Sequence, residues 1–104
     1  MVYFGIEAGG TKFNCAVGEG TTLVEEARIP TTTPEATLGD CREFFDRAAA
    51  THGPPEGMGI ATFGPIDLVT GTIGSTPKPH WPGADLLAPF RAYDCPIALE
   101  TDVT

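Results

Sequence analysis

The feature that most constrains this chain is a glycine-rich turn, Gly9, Gly10, Thr11 and Lys12, set between two stretches of strand-forming residues. Apolar and aromatic residues favour a strand from Val2 onwards. After the turn, apolar residues alternate with polar or small ones, and this period of two predicts a returning strand. Two adjacent glycines allow the backbone to turn with positive φ and place no Cβ in the way of a ligand. The chain therefore begins with a predicted β-hairpin.

The same turn has the chemistry of an anion-binding site. Consecutive glycines expose backbone N–H groups, while Thr11 adds a hydroxyl donor and Lys12 a mobile positive charge. The spacing is not that of a P-loop, G-x-x-x-x-G-K-[ST] before a helix, nor that of the dinucleotide motif G-x-G-x-x-G. Two interpretations stay open on these residues alone: a phosphate-binding turn, or an ordinary glycine-rich hairpin with a surface lysine.

Charge, length and cysteines narrow the classes of function. Over 104 residues, 14 acidic and 6 basic side chains give a formal net charge of −8. Proteins that bind nucleic acid or anionic membranes carry a basic surface, so this charge excludes both classes. The length fits one small domain and is too short for an enzyme whose cleft lies between two domains. Three widely spaced cysteines match no zinc motif and are interpreted as reduced thiols. With no signal peptide or membrane-spanning stretch, a cytoplasmic protein is expected.

Periodicity and capping signals predict the rest of the fold. A third strand through Leu23 and Ile29 completes a meander, and a helix follows the threonines at 31–33 and ends near His52. The apolar stripe of that helix consists of residues 38, 41, 44, 45 and 48. The remaining predicted elements are a central buried strand (58–63), two strand-like pieces (66–69 and 72–73), a short helix (84–93) that contains Pro89, and a last strand (96–101).

These elements predict an α/β architecture, a mixed sheet covered by helices. In such sheets the ligand lies at the carboxyl ends of the strands.

Four blocks of the sequence, in order, resemble the ROK family of sugar kinases, and most closely its fructokinase-like branch. The resemblance implies the ribonuclease-H-like fold of the actin and hexokinase superfamily, with ATP and sugar bound between two α/β domains. Residues 1–104 are then expected to be the N-terminal lobe, with the C-terminal lobe absent from this chain. The blocks are 5–12 (GIEAGGTK), 59–67 (GIATFGPID), 76–86 (TPKPHWPGADL) and 100–103 (ETDV).

The resemblance also implies roles for individual residues in the ATP-dependent phosphorylation of a hexose, with fructose as the first candidate. Asp102 would be the general base that accepts the proton of the sugar hydroxyl, although an Asp there also fits a helix N-cap. Glu7 would face the magnesium region, where one carboxylate is chemically sufficient, or else is a solvated charge at a strand end. The ATP phosphates would be held by Gly9, Gly10, Thr11 and Lys12, and the sugar by Gly64, Pro65 and Thr101.

ATP and magnesium are the cofactors that the resemblance implies, and a hexose is the substrate. Zinc is expected in full-length members of the family, but its ligands are not in this chain, and neither is the adenosine pocket. We therefore expect the chain alone to be inactive, and a full-length protein to form a homodimer. Two alternatives remain: a sugar-responsive repressor relative, and a non-catalytic or truncated lobe that needs a partner chain.

Overall fold

The computed structural model describes residues 1–62, 81 and 83–101, apart from the side chains of Glu100 and Thr101. The strand-like pieces predicted at 66–69 and 72–73 lie outside these residues. The described elements, in chain order, are β1 (Val2–Ala8), β2 (Lys12–Glu19), β3 (Thr22–Pro30), α1 (Pro34–His52), β4 (Gly57–Thr62), a 3₁₀-helix (Ala88–Tyr93) and β5 (Ile97–Thr101).

The strands form one mixed sheet in the order β3-β2-β1-β4-β5. The first three strands form the predicted antiparallel meander, whereas β1, β4 and β5 are parallel. The middle strand is β1, and β4, which was predicted to be central, lies between β1 and β5. In the parallel part, Ala8 pairs with Thr62 and Thr62 pairs with Thr101. The carboxyl ends of the three parallel strands therefore lie side by side at one edge.

The hydrophobic core lies between one face of the sheet and α1. Residues of alternating position on β1 and β2 point to this face, and Phe4, Phe13 and Val17 are at most 2% exposed. Phe45 of α1 stacks on Phe4 with 4.6 Å between the ring centroids and meets Phe90 edge-on at 6.0 Å. The stripe predicted for α1 is buried as expected: Leu38, Cys41, Phe44, Phe45 and Ala48.

Local signals define both ends of α1. Thr33 is the N-cap, and its hydroxyl accepts a hydrogen bond of 3.3 Å from the Ala36 N–H. Pro34 occupies the first turn, where its missing N–H costs nothing. Gly53 ends the helix with φ of 104°, a conformation that glycine adopts without steric cost. The predicted helix is confirmed with these bounds.

The second helix is shorter than predicted. A helix over 84–93 was expected, but only Ala88–Tyr93 is helical, and the helix is of the 3₁₀ type. Pro89 is the reason, because proline is tolerated only in the first turn of a helix. Before that turn, the Asp85 carboxylate accepts hydrogen bonds from the N–H groups of Leu87 at 2.9 Å and Ala88 at 3.0 Å.

All three cysteines are free thiols. Cys15 and Cys41 are buried in the core, and their sulfur atoms are 3.5 Å apart. The hydrogen bond between them and the burial of Cys41 raise the pKa of the Cys41 thiol. Because the thiolate is the reactive form of cysteine, the raised pKa keeps Cys41 as an unreactive thiol, and the pair is part of the apolar core.

Among the described residues, no helix is long and apolar enough to cross a membrane.

Candidate functional site

The turn between β1 and β2 presents unused hydrogen-bond donors at the carboxyl end of β1. The Gly9 N–H donates to the Lys12 carbonyl oxygen at 3.0 Å. Within the described part of the chain, the N–H groups of Gly10 and Thr11 donate to no acceptor, and the Lys12 ammonium forms no ion pair. Thr11 and Lys12 are exposed. Two N–H groups, a hydroxyl and a positive charge are therefore available to an anion.

The two glycines of this turn do not have the backbone conformation that the sequence predicted. Positive φ occurs at three other described glycines, Gly20, Gly53 and Gly83, so the expectation for Gly9 and Gly10 was wrong. Gly9 is required by a close approach instead, since a Cβ there would lie 2.7 Å from the Lys12 carbonyl oxygen. A Cβ on Gly10 would meet nothing within 4 Å, so Gly10 leaves open space beside the turn.

Thr31 holds the turn in place, a role that the sequence did not reveal. Its hydroxyl donates to the Gly9 carbonyl oxygen at 2.8 Å, and its N–H donates to the Thr11 carbonyl oxygen at 3.0 Å. Thr31 follows directly on β3, whose last residue pairs with Lys12. That pairing could have identified it, but the sequence pattern alone placed Thr31 among the threonines before α1.

A row of polar side chains crosses the sheet face opposite α1, which we call the outer face. Glu7 on β1 pairs with Asn14 on β2, and Asn14 pairs with Arg28 on β3. The Asn14 Nδ2 group donates to the Glu7 Oε1 atom at 3.3 Å. A depression of about 460 Å³ is lined in part by Lys12, Asn14 and Arg28, and a second one, of about 390 Å³, in part by Glu7 and Asn14.

Asn14 was missed by sequence reasoning, although a signal for it exists. The alternation of β2 places Asn14 on the same face as Lys12, and the length of the hairpin sets it opposite Glu7. Nothing in the sequence pattern distinguished it from an ordinary polar strand residue. In the described part of the chain, no group of three His, Cys, Asp or Glu side chains could hold a metal ion.

The other predicted site residues follow strand ends at the same edge. Thr101 is the last residue of β5, and only its backbone is described. Gly64 and Pro65, which come shortly after β4, and Asp102, which follows β5, lie outside the described residues. The structure thus brings together the ends of β1, β4 and β5, from which all the predicted segments continue.

The sequence profile of the ROK family matches residues 3–104 of this chain. The chain belongs to the ROK family. It is 43% identical to the fructokinase of Zymomonas mobilis subsp. mobilis over 98% of its own length, and 39% identical to the fructokinase of Streptococcus mutans serotype c, also over 98%. The chain spans 36% of the length of each of these relatives. The resemblance read from the four sequence blocks is confirmed.

The structure of a ROK family member confirms the fold class as well. The ROK hexokinase from Thermus thermophilus superimposes on 98% of this chain with a TM-score of 0.78 and 28% sequence identity. The match covers 35% of that protein. The mixed five-stranded sheet with its helix is therefore the α/β arrangement of the actin and hexokinase superfamily, as predicted.

Proposed function

We propose that residues 1–104 form the N-terminal lobe of an ATP-dependent sugar kinase, with fructose as the first candidate substrate. The observation that carries the proposal is the turn at Gly9–Lys12 in this ROK family chain, with free donors at the edge where β1, β4 and β5 end. Fructose is favoured because the relatives at 43% and 39% identity are named fructokinases.

In this proposal the turn binds the phosphates of ATP. The N–H groups of Gly10 and Thr11 and the Thr11 hydroxyl donate to phosphate oxygens, and Lys12 offsets their negative charge. Phosphoryl transfer depends on positioning and on charge neutralisation rather than on covalent chemistry by the protein. The hydrogen bonds from Thr31 keep the turn in one conformation, so little ordering is left to occur when the nucleotide binds.

The residues present fit a magnesium ion beside these phosphates. Glu7 carries an exposed carboxylate on the outer face, one residue before the end of β1 and so close to the turn. Oxygen atoms of this kind are the ligands that magnesium prefers, and one carboxylate with waters and phosphate oxygens completes a site. Glu7 would hold the ion, which supplies neutralisation of the phosphate charge.

Asp102 is proposed as the general base of the reaction. It would accept the proton of the attacking sugar hydroxyl, and Gly64, Pro65 and Thr101 would contact the sugar. The end of β5 supports this role, because it pairs with the end of β4 and lies two strands away from β1, which leads into the turn.

The three cysteines are free, and because thiols persist in reducing compartments, we place the kinase in the cytoplasm.

The test is the substitution Asp102→Asn in a kinase that carries this lobe. Removal of a general base should lower kcat by about 10²–10⁴-fold, while the dissociation constant of the sugar changes little. Asp94→Asn is the matched control, because Asp94 is exposed and lies before β5 with φ of 53°, a conformation that Asn also tolerates. Turnover retained by Asp102→Asn would contradict the role of Asp102 as the general base. The substrate is decided by a comparison of the kcat/KM values of the unaltered kinase for fructose, mannose and glucose.

A further inference from the structure

Asn14 occupies an unusual position on the outer face. It stands directly between the carboxylate of Glu7 and the guanidinium of Arg28 in the register of the sheet. It also lines both depressions of this face, the one beside Lys12 and the one beside Glu7. Any change in its side chain therefore affects the surroundings of the Glu7 carboxylate.

The two polar atoms of the Asn14 amide are in opposite situations. Nδ2 donates to Glu7 Oε1 at 3.3 Å. Oδ1 exposes less than 1 Å² and has no hydrogen-bond partner among the described residues. The reversed amide would set Oδ1 against the carboxylate oxygen, two acceptors facing each other, so the observed orientation is the one that chemistry requires.

This orientation costs folding free energy, since a desolvated acceptor without a partner loses its hydrogen bond to water. Arg28, its other neighbour in the row, is exposed and forms no hydrogen bond within the described residues. An apolar strand former at this position would avoid the cost. A polar side chain that lowers the stability of the fold and contacts a carboxylate of the candidate site is a candidate functional residue.

We infer that Asn14 is a positioning residue that holds the Glu7 carboxylate in the orientation that binds a divalent cation. The inference rests on the proposed function, in which Glu7 is the magnesium ligand. A carboxylate fixed by a neighbouring N–H loses less side-chain freedom when the ion binds. Partners of this kind typically contribute 10–100-fold to metal affinity.

The experiment uses Mn²⁺ alone as a paramagnetic probe for the 104-residue chain, together with its thermal unfolding. In the wild type, Mn²⁺ should selectively broaden the amide NMR signals of Glu7 and its neighbours. Asn14→Val should raise the Mn²⁺ concentration for half-broadening about tenfold or more, and leave the Tm unchanged or higher. Asn14→Ala should give the same loss of affinity, and Glu7→Gln should abolish the broadening.

The matched control is Glu43→Gln, which removes an exposed carboxylate from α1, on the side of the sheet opposite the Glu7–Asn14 pair. It should leave half-broadening within about twofold of the wild type, because surface charges at a distance are screened by salt. If Asn14→Val binds Mn²⁺ as the wild type does, or loses binding together with several degrees of Tm, the positioning role is overturned and Glu7 keeps its own. If the wild type shows no broadening at Glu7, or Glu7→Gln changes nothing, the metal role of Glu7 fails and the inference fails with it.

Discussion

Gly9 and Thr31 together fix the turn that we propose to bind phosphate. A Cβ on Gly9 would collide with the Lys12 carbonyl oxygen, and the Gly9 carbonyl oxygen in turn accepts the hydroxyl of Thr31. The tip of the turn is different, because Gly10 faces open space. One glycine thus serves the fold, whereas the other leaves room for a ligand.

Alanine substitutions should separate these two roles. Gly9→Ala forces the backbone of the hairpin to shift, and we expect a loss of about 1–3 kcal/mol in the free energy of unfolding, as for other overpacked sites. Gly10→Ala, its matched control, should change that free energy by less than about 0.5 kcal/mol. Urea unfolding followed by the fluorescence of the buried Trp81 measures both. Equal losses for the two variants would contradict the account of Gly9.

Two buried threonines offer a second contrast. Thr37 and Thr62 are both 0% exposed. The Thr37 hydroxyl accepts from the Thr32 N–H at 2.8 Å and donates to the Pro30 carbonyl oxygen at 3.0 Å. The Thr62 hydroxyl has no partner among the described residues. Unlike Asn14, Thr62 lies on the helix side of the sheet.

Valine has nearly the same shape as threonine without the hydroxyl. Thr62→Val should raise the free energy of unfolding by about 1 kcal/mol, because a desolvated polar group is removed. Thr37→Val should lower it by about 1–3 kcal/mol, because two hydrogen-bond partners are left unpaired. Calorimetric unfolding of both variants provides the test. A destabilised Thr62→Val protein would show that its hydroxyl does have a partner in the native state.

Among the elements, the 3₁₀-helix is attached to α1 by one polar cluster. Arg42 of α1 donates to the Asp46 carboxylate at 2.8 Å and to the Pro89 carbonyl oxygen at 2.6 Å, and the Tyr93 hydroxyl donates to Asp46 at 2.6 Å. The hydrogen bonds from Tyr93 and Arg42 hold the pKa of Asp46 below its usual value of 3.8. Burial and the adjacent carboxylate of Asp46 raise the pKa of Tyr93.

This cluster predicts a pH-dependent contribution to stability. A carboxyl whose pKa is lower in the folded state stabilises the protein above its unfolded value, 3.8, and the contribution is lost as the pH falls through the folded pKa. Asp46→Asn should therefore cost about 1 kcal/mol at pH 7, the upper end for a half-exposed pair, and almost nothing at pH 2.

Asp40→Asn is the control for this prediction, because Asp40 is an exposed carboxylate on the same helix. It should leave stability nearly unchanged at both pH values. Thermal unfolding of the two variants between pH 2 and pH 7 measures the difference. A cost of Asp46→Asn that does not depend on pH would contradict the role of the charged carboxylate.

The elements that could be predicted are those set by local signals. The meander follows from alternation and turns, and α1 follows from its threonine cap, Pro34, its apolar stripe and Gly53. The 3₁₀-helix was predicted too long because the weight of Pro89 depends on which turn it occupies. The roles of Thr31 and Asn14 were not predicted, because their contacts with Gly9 and Glu7 are set by the pairing between strands and not by neighbours in the sequence.

At the scale of the whole molecule, the position of the site depends on the parallel pairing of β1, β4 and β5. The rule that ligands bind at the carboxyl ends of strands predicts that the ligand site lies at the edge where these three strands end. The turn alone fits both a phosphate site and a plain hairpin, and membership of the ROK family is what favours the phosphate site that we propose. The roles of the individual residues, that of Asp102 above all, stay predictions.

Titration of the 104-residue chain with MgATP, followed by the backbone amide signals in NMR, tests whether the turn binds phosphate. We expect saturable shifts at Gly9, Gly10, Thr11 and Lys12. Lys12→Gln should weaken binding about tenfold or more, since a hydrogen bond to a charged group is lost. The control Arg47→Gln, an exposed basic residue on α1, should bind as the wild type does. Amides of the turn that do not respond to MgATP, or a Lys12→Gln variant with unchanged affinity, would contradict a phosphate-binding turn.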